Sequence, residues 1–257
     1  MSDHQEVLLS GRFLRRAAVA VAVAATTAVA LAAPASARST VSLRHAPIHL
    51  ARIVHATSSN WAGWDNTGGR YTTVSASWVQ PTVTCAVRET SYASFWIGLD
   101  GDGSNSVEQT GSESDCVSGR ATYYSWYEFY PAYPVNYTNT VRPGDHFSAT
   151  VTSTSAGHYT LTLTDSTQGW TQTKTGTASS GRNASAEVIA EAPSSSSGVL
   201  PLANFGAMTF SGAKVNGAAL GAVATPQKIT MASGSTIKAL VSNLTSNTTF
   251  SVTWKHR

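Results

Sequence analysis

The chain is poor in charge. Only 12% of its 257 residues are Asp, Glu, Lys or Arg, and the formal net charge is +3 at pH 7. A balance so weak and scattered does not make the basic stripe that nucleic acid requires, so no nucleic-acid partner is expected. Cysteine is scarcer still, with Cys85 and Cys116 alone. Neither has a histidine near it, which argues against zinc. In an exported protein two cysteines most simply form one disulfide. It would close a loop of about 30 residues, worth ~3 kcal/mol in the chain-entropy model. Histidine is poorly placed for catalysis: His4, His45, His49 and His55 lie near the N-terminus and His256 at the other end. His146 follows the turn signal Pro143-Gly144-Asp145 and is expected to be a solvated loop residue, and His158 also lies near a turn. A Ser-His-acid triad and a metal constellation are therefore not expected. A phosphate-binding glycine loop needs a helix to open into, and no helical period persists beyond the N-terminal segment.

Long apolar runs are missing too, with one exception at residues 17–33, built almost entirely of Ala and Val. Arg12, Arg15 and Arg16 precede it and Ala35-Ser36-Ala37 follows. A basic start, an apolar middle and a small-residue cleavage site read as an export signal over residues 1–37. The run is short for a membrane span, so the expected mature protein is secreted and free of the membrane. Arg15-Arg16 leaves the twin-arginine route open beside the general one. Residues 38–56 carry Arg38, Arg44, Arg52, His45, His49 and His55 but no acid. They read as a basic arm or a short pro-segment.

What is present from residue 57 to 257 is Thr, Ser, Tyr, Trp, Val and Gly. Strand formers alternate with polar residues in short runs broken by Gly, Pro, Asn and Asp. Such runs occupy residues 71–79, 122–130, 186–190, 207–210, 237–241 and 250–254, and residues 147–154 and 159–164 read as a hairpin about Ala156-Gly157. Residues 194–197 read as a polar loop. Many short strands at this spacing predict one all-β domain, an antiparallel sandwich or barrel.

Because acids are sparse, their placement is informative. In Ala186-Glu-Val-Ile-Ala-Glu191 a period of two puts Glu187, Ile189 and Glu191 on one face. Pattern alone leaves a solvent-facing edge open. In the run Tyr123-Tyr-Ser-Trp-Tyr-Glu-Phe-Tyr-Pro131, Tyr124, Trp126, Glu128 and Tyr130 take one face and Tyr123, Tyr127 and Phe129 the other. One face is expected to be core, and the face with Glu128 a groove for a polymer.

These segments resemble, in order, those of the glutamic peptidases (eqolisins, peptidase family G one). Ser59-Asn-Trp-Ala-Gly63 looks like that family's opening strand, and Phe95-Trp-Ile-Gly-Leu-Asp-Gly101 is similar to its Trp-Val-Gly-Ile-Asp-Gly. Glu108-Gln-Thr-Gly111 is similar to its Leu-Gln-Thr-Gly, Trp126-Tyr-Glu-Phe-Tyr-Pro131 to Trp-Tyr-Glu-Trp-Tyr-Pro, and Ala186–Glu191 to Ala-Glu-x-Ile-x-Glu. The leader hints at a bacterial member. The resemblance implies a β-sandwich of two large curved antiparallel sheets, of the concanavalin-like or jelly-roll type. It implies that Gln109 and Glu191 meet in a concave groove as the catalytic pair, with Glu187 the nearest rival to Glu191. Trp61, Asp100, Trp126, Glu128 and Tyr130 fall on groove positions, where they would bind substrate.

The function so implied is a secreted, monomeric endopeptidase that takes polypeptides at acidic pH without a cofactor. The chain departs from the acidic members first described by being slightly basic, with few carboxylates. A carbohydrate-binding or glycoside-cleaving sandwich is the alternative, since aromatics beside glutamates also suit sugars. A catalytically dead adhesive relative is a third.

Overall fold

Short runs of β-branched and aromatic residues cut by turn residues dictate many strands. The structure, a computed structural model, describes residues 55–257. The export signal and residues 38–54 of the basic segment lie outside the described residues. The chain opens with β1 (His55–Ser58), β2 (Trp61–Thr67), β3 (Thr73–Val79), β4 (Ser94–Leu99) and β5 (Val107–Val117). There follow β6 (Arg120–Tyr130), β7 (Val135–Asn136), β8 (His146–Ser155), β9 (His158–Asp165) and β10 (Trp170–Thr177). Then come β11 (Ser185–Glu191), β12 (Ser194–Ser195), β13 (Gly198–Val199), β14 (Ala207–Val215) and β15 (Ala218–Ala219). After a single 3₁₀ turn, Leu220–Ala222, the chain ends with β16 (Pro226–Ser233), β17 (Thr236–Val241) and β18 (Phe250–Trp254). Residues 194–197, expected as a loop, contribute β12, which pairs with β13 in a small ladder. The strand β1 takes in His55 and Ala56, the last two residues of the segment read as a basic arm.

Hydrogen bonds run through the order β10-β9-β8-β3-β14-β18-β17-β16-β2-β11-β4-β5-β6-β7. The first seven of these strands form one layer and the last seven the other. Strands β4 and β5 lie against β8 and β9 without sharing ladder bonds with them, so the sheet folds back on itself as a sandwich. The expected all-β antiparallel sandwich is thus what the chain forms. Its two sheets are joined along one edge by the β16–β17 pair.

Between the layers lies one large apolar core. The first layer contributes Val74, Ala76 and Trp78 from β3, Phe147 and Val151 from β8, and Leu161 and Leu163 from β9. Phe95, Ile97 and Leu99 of β4 and Val188 of β11 meet them from the second. Burying a side chain of this size contributes about 1.5–3 kcal/mol each. Outward, the first layer carries hydroxyls: Thr171, Thr173 and Thr175 of β10 stand opposite Thr164, Thr162 and Thr160 of β9. Threonine satisfies both demands of such a face, a branched Cβ for the strand and an oxygen for water. Cys85 and Cys116 are disulfide-bonded as expected, 31 residues apart, tying the loop before β4 to the end of β5. His146 and His158 both begin strands and are exposed.

Candidate active site

The outward face of the second layer is built differently. Register and the two-residue period sort its side chains into rows that cross the strands. A middle row runs Ile229, Gly63, Ile189, Trp96, Gly111 and Trp126 from β16 to β6. It is apolar, and forms a second cluster with Trp61 and Val107 on the side of the sheet away from the main core. Above it runs Trp61, Glu191, Ser94, Glu113 and Tyr124. Below it runs Asp65, Glu187, Gly98, Gln109 and Glu128. Two polar rows therefore flank a floor of tryptophan. The floor depends on glycine: a Cβ on Gly111 would lie 2.6 Å from the Trp96 Cβ and 2.3 Å from the Phe95 carbonyl oxygen.

Glu191 is fixed by two donors. Trp96 Nε1 donates to Oε2 at 2.8 Å, and Asn60 Nδ2 donates to Oε1 at 3.1 Å. The indoles of Trp61 and Trp96 meet edge to face at 4.9 Å, which holds the Trp96 donor in place. Gln109 Nε2 donates to Glu128 Oε2 at 2.8 Å, so the amide plane is set by the neighbouring strand. Gln109 and Glu191 stand on one face, in the two rows that flank Trp96.

Glu187 is a different kind of acid. Its Oε1 accepts from the Asp102 backbone N–H at 3.3 Å. Burial pushes its proton affinity well up, and nearby Asp100 and Asp102 add to the effect against the pull of Ser185. Asp65, opposite it in the ladder, is raised by burial and then by Asp102 and Glu187. Their surroundings favour the neutral form of both carboxyls, whereas the N–H donors on Glu191 bond best to an ionised carboxylate. Motif order alone distinguishes Glu191 from Glu187 in the sequence; their surroundings distinguish them physically.

Of the residues expected at the site, Gln109, Glu191, Trp61, Trp126, Glu128 and Tyr130 all belong to this face. Asp100 does not line it. With φ at +72° it leaves the strand alternation, and its carboxylate accepts from Tyr159 Oη (2.8 Å), Arg182 N (3.1 Å) and Ala184 N (2.7 Å). It tethers the loop before β11 to the opposite layer. Sequence reasoning gave no role to Asn60 or Trp96, although both lie inside quoted motifs, and passed over Glu113. The signal for Glu113 was its spacing from Gln109, with Gly111 between them on one strand face.

Ten of the twelve acids in the described residues are buried, and none is in the exposed class. Acids are rarely buried unless they are paired or protonated. On the inward side Glu108 is pushed up to about 9, by burial and then by Asp100. Asp115 is pushed up to about 7 by burial, although Tyr124 Oη donates to it at 2.9 Å. No group of three or more His, Cys, Asp or Glu suited to a metal occurs among the described residues.

A sequence profile of the peptidase A4 family matches residues 59–254. The chain is similar to aspergillopepsin-2 of Aspergillus niger, 30% identical over 180 residues that cover 61% of this chain and 64% of that one. It is also similar to scytalidopepsin B of Scytalidium lignicola, 32% identical over 130 residues covering 49% of this chain and 48% of the other. The matched region thus spans less than two thirds of either curated relative. Among solved structures, scytalido-glutamic peptidase with a transition state analog inhibitor superposes with a TM-score of 0.67 at 27% identity, covering 77% of this chain and 99% of that chain.

Proposed function

The chain belongs to the peptidase A4 family, and from that premise we propose that it is a secreted, monomeric glutamic endopeptidase active at acidic pH. Residues 57–257 form its catalytic domain, behind an export signal at 1–37 and a basic segment at 38–56. The observation that carries the reading is the Glu191 carboxylate, held by Trp96 and Asn60 on the same face as Gln109.

Hydrolysis of a peptide bond needs an activated water, a donor for the tetrahedral oxyanion and a proton for the leaving amine. Glu191 takes a proton from water as the oxygen adds to the scissile carbonyl carbon. The carbonyl oxygen, as negative charge develops on it, accepts a hydrogen bond from the Gln109 amide, whose direction Glu128 sets. Collapse of the intermediate breaks the C–N bond, and the proton held on Glu191 passes to the amine. An extended peptide lying over Trp96 would bring its carbonyl between the two rows, with Trp61, Trp126 and Tyr130 offering apolar contact. The transition state analog inhibitor in the similar scytalido-glutamic peptidase supports a peptidase reading.

The test is cleavage of a denatured protein substrate by the wild type from strongly acidic to neutral pH. Activity should survive chelators and serine- and cysteine-directed reagents. A folded wild type that cleaves nothing at any pH would overturn the reading. Gln109→Ala should lower kcat by about 10²–10³-fold through loss of one oxyanion donor. If polysaccharide affinity is found and survives that change while peptide cleavage is absent in both proteins, the carbohydrate reading takes its place. Trp96→Phe keeps the ring but removes the donor to Glu191. A hydrogen bond to a charged group is worth about 1.5–3 kcal/mol, so kcat/KM should fall roughly 10- to 100-fold while circular dichroism stays unchanged.

A further inference from the structure

Glu113 has no part in the steps above, yet it stands in the same row as the proposed base. Glu191 pairs with Ser94, and Ser94 pairs with Glu113. Neighbouring strands lie roughly 4.8 Å apart, so the two glutamate Cα atoms are roughly 10 Å apart, with only a serine between them. That separation lets two glutamate side chains on one face reach each other. We propose that Glu113 is a positioning residue of the active site, a second carboxyl that faces Glu191 across Ser94 and shares a single negative charge with it. The inference rests on Glu191 as the general base.

The surroundings of Glu113 support a shared charge. Titratable groups that face it include Asp115 on its own strand, Tyr124 on β6, and Glu191 on β11. Strand β4 contributes Ser94 and Trp96, neither of them charged. Burial raises its proton affinity, Asp115 adds to that, and Glu191 adds further; Ser94 and Trp126 act in the opposite sense. Asp115 is in turn bonded by Tyr124. Three neighbouring carboxyls, Glu191 and Glu113 in one row and Asp115 two residues along β5, do not ionise all at once. With Glu113 protonated, this row presents one negative charge, on the carboxylate that Trp96 and Asn60 hold. Ionisation of Glu113 would add a second negative charge beside a carbonyl that must itself become an oxyanion, and the reaction would be opposed.

The experiment is the pH profile of kcat/KM for wild type, Glu113→Gln and Glu191→Gln, with tryptophan fluorescence recorded at each pH to confirm the fold. Glu113→Gln cannot ionise, so its alkaline limb should move up by one pH unit or more, with a plateau lowered less than tenfold. A profile superposable on the wild type, beside an inactive Glu191→Gln, would overturn the inference alone. An active Glu191→Gln would overturn the underlying reading. Should Glu113→Gln fail to fold, ¹³C-glutamate spectra of wild type and Glu191→Gln give the reciprocal measurement. The Glu113 carboxyl should titrate about one pH unit lower once its neighbour is neutral, and an unmoved titration would sink the pairing.

Discussion

Glu191→Gln is expected to reduce kcat on a peptide substrate by at least about 10²–10⁴-fold, the range a positioned general acid–base supplies. The replacement is nearly isosteric and its amide oxygen can still accept from Trp96 Nε1 or Asn60 Nδ2. The fold should therefore survive, and the loss should appear in kcat rather than in substrate affinity. Glu187→Gln is the matching control. Burial, Asp100 and Asp102 all oppose its charge, so replacing it by a neutral amide should leave most of the activity in place. Kinetics of the two variants beside wild type settle the assignment. If Glu187→Gln were the inactive one, the row that joins Glu187 to Gln109 through Gly98 would be the reacting row.

The second large effect is on stability. Asp65, Glu113, Glu187 and Asp165 are all raised, first by burial, while Asp115 is pushed up to about 7 and Glu108 to about 9. A carboxyl whose proton is held more tightly in the folded state stabilises the fold fully below its unfolded value. That contribution is lost as pH rises through the folded value. The window therefore runs from about pH 4, the ordinary carboxyl range, through the values near 7 and 9. Asp115 alone, at about 7 against an ordinary 3.8, is worth on the order of 4 kcal/mol. Glu89 works the other way. Burial raises it, but bonds from Ala86 N and Ser91, with Arg257 nearby, outweigh that and lower it. Its stabilisation is lost as pH falls, and one partly exposed group does not offset six buried ones. A domain of this size shifts by about 2–4 °C per kcal/mol, so Tm should drop by about 10 °C or more between pH 4 and pH 8.5. Scanning calorimetry across that range checks it, and a Tm that rises toward neutral pH would contradict the account. Net charge suggested no adaptation to acid; the location of the carboxyls does.

The legible parts of the fold were those with a local signal. The β8–β9 hairpin announced itself through alternation on either side of Ala156-Gly157, and β6 through two distinct aromatic faces. Strand β5 did not. Its sequence, Val107-Glu-Gln-Thr-Gly-Ser-Glu-Ser-Asp-Cys-Val117, has polar or small residues on both faces, so no apolar period marks it, although all but its last residue are buried. Strand β10 is hidden by a run of threonines. At the site, motif order and the strand period brought Gln109 and Glu191 to one face. The bonds that fix Glu191 join residues 131 and 95 apart in the chain, beyond any local pattern. The positive φ that turns Asp100 away from the groove is equally invisible to alternation.

The joined edge has a consequence for motion. Ladder bonds close the sandwich at β16–β17, while the hydrogen-bonded order ends at the two-residue β7 on one layer and at β10 on the other. Layers tied on one side part like the covers of a book, least at the spine. Glu191 stands on β11, separated from the spine strand β16 by β2 alone, whereas Gln109 stands on β5, with only β6 and β7 between it and the free edge. Both stand on one layer, so parting of the covers leaves the in-sheet spacing between the proposed base and the proposed oxyanion donor unchanged.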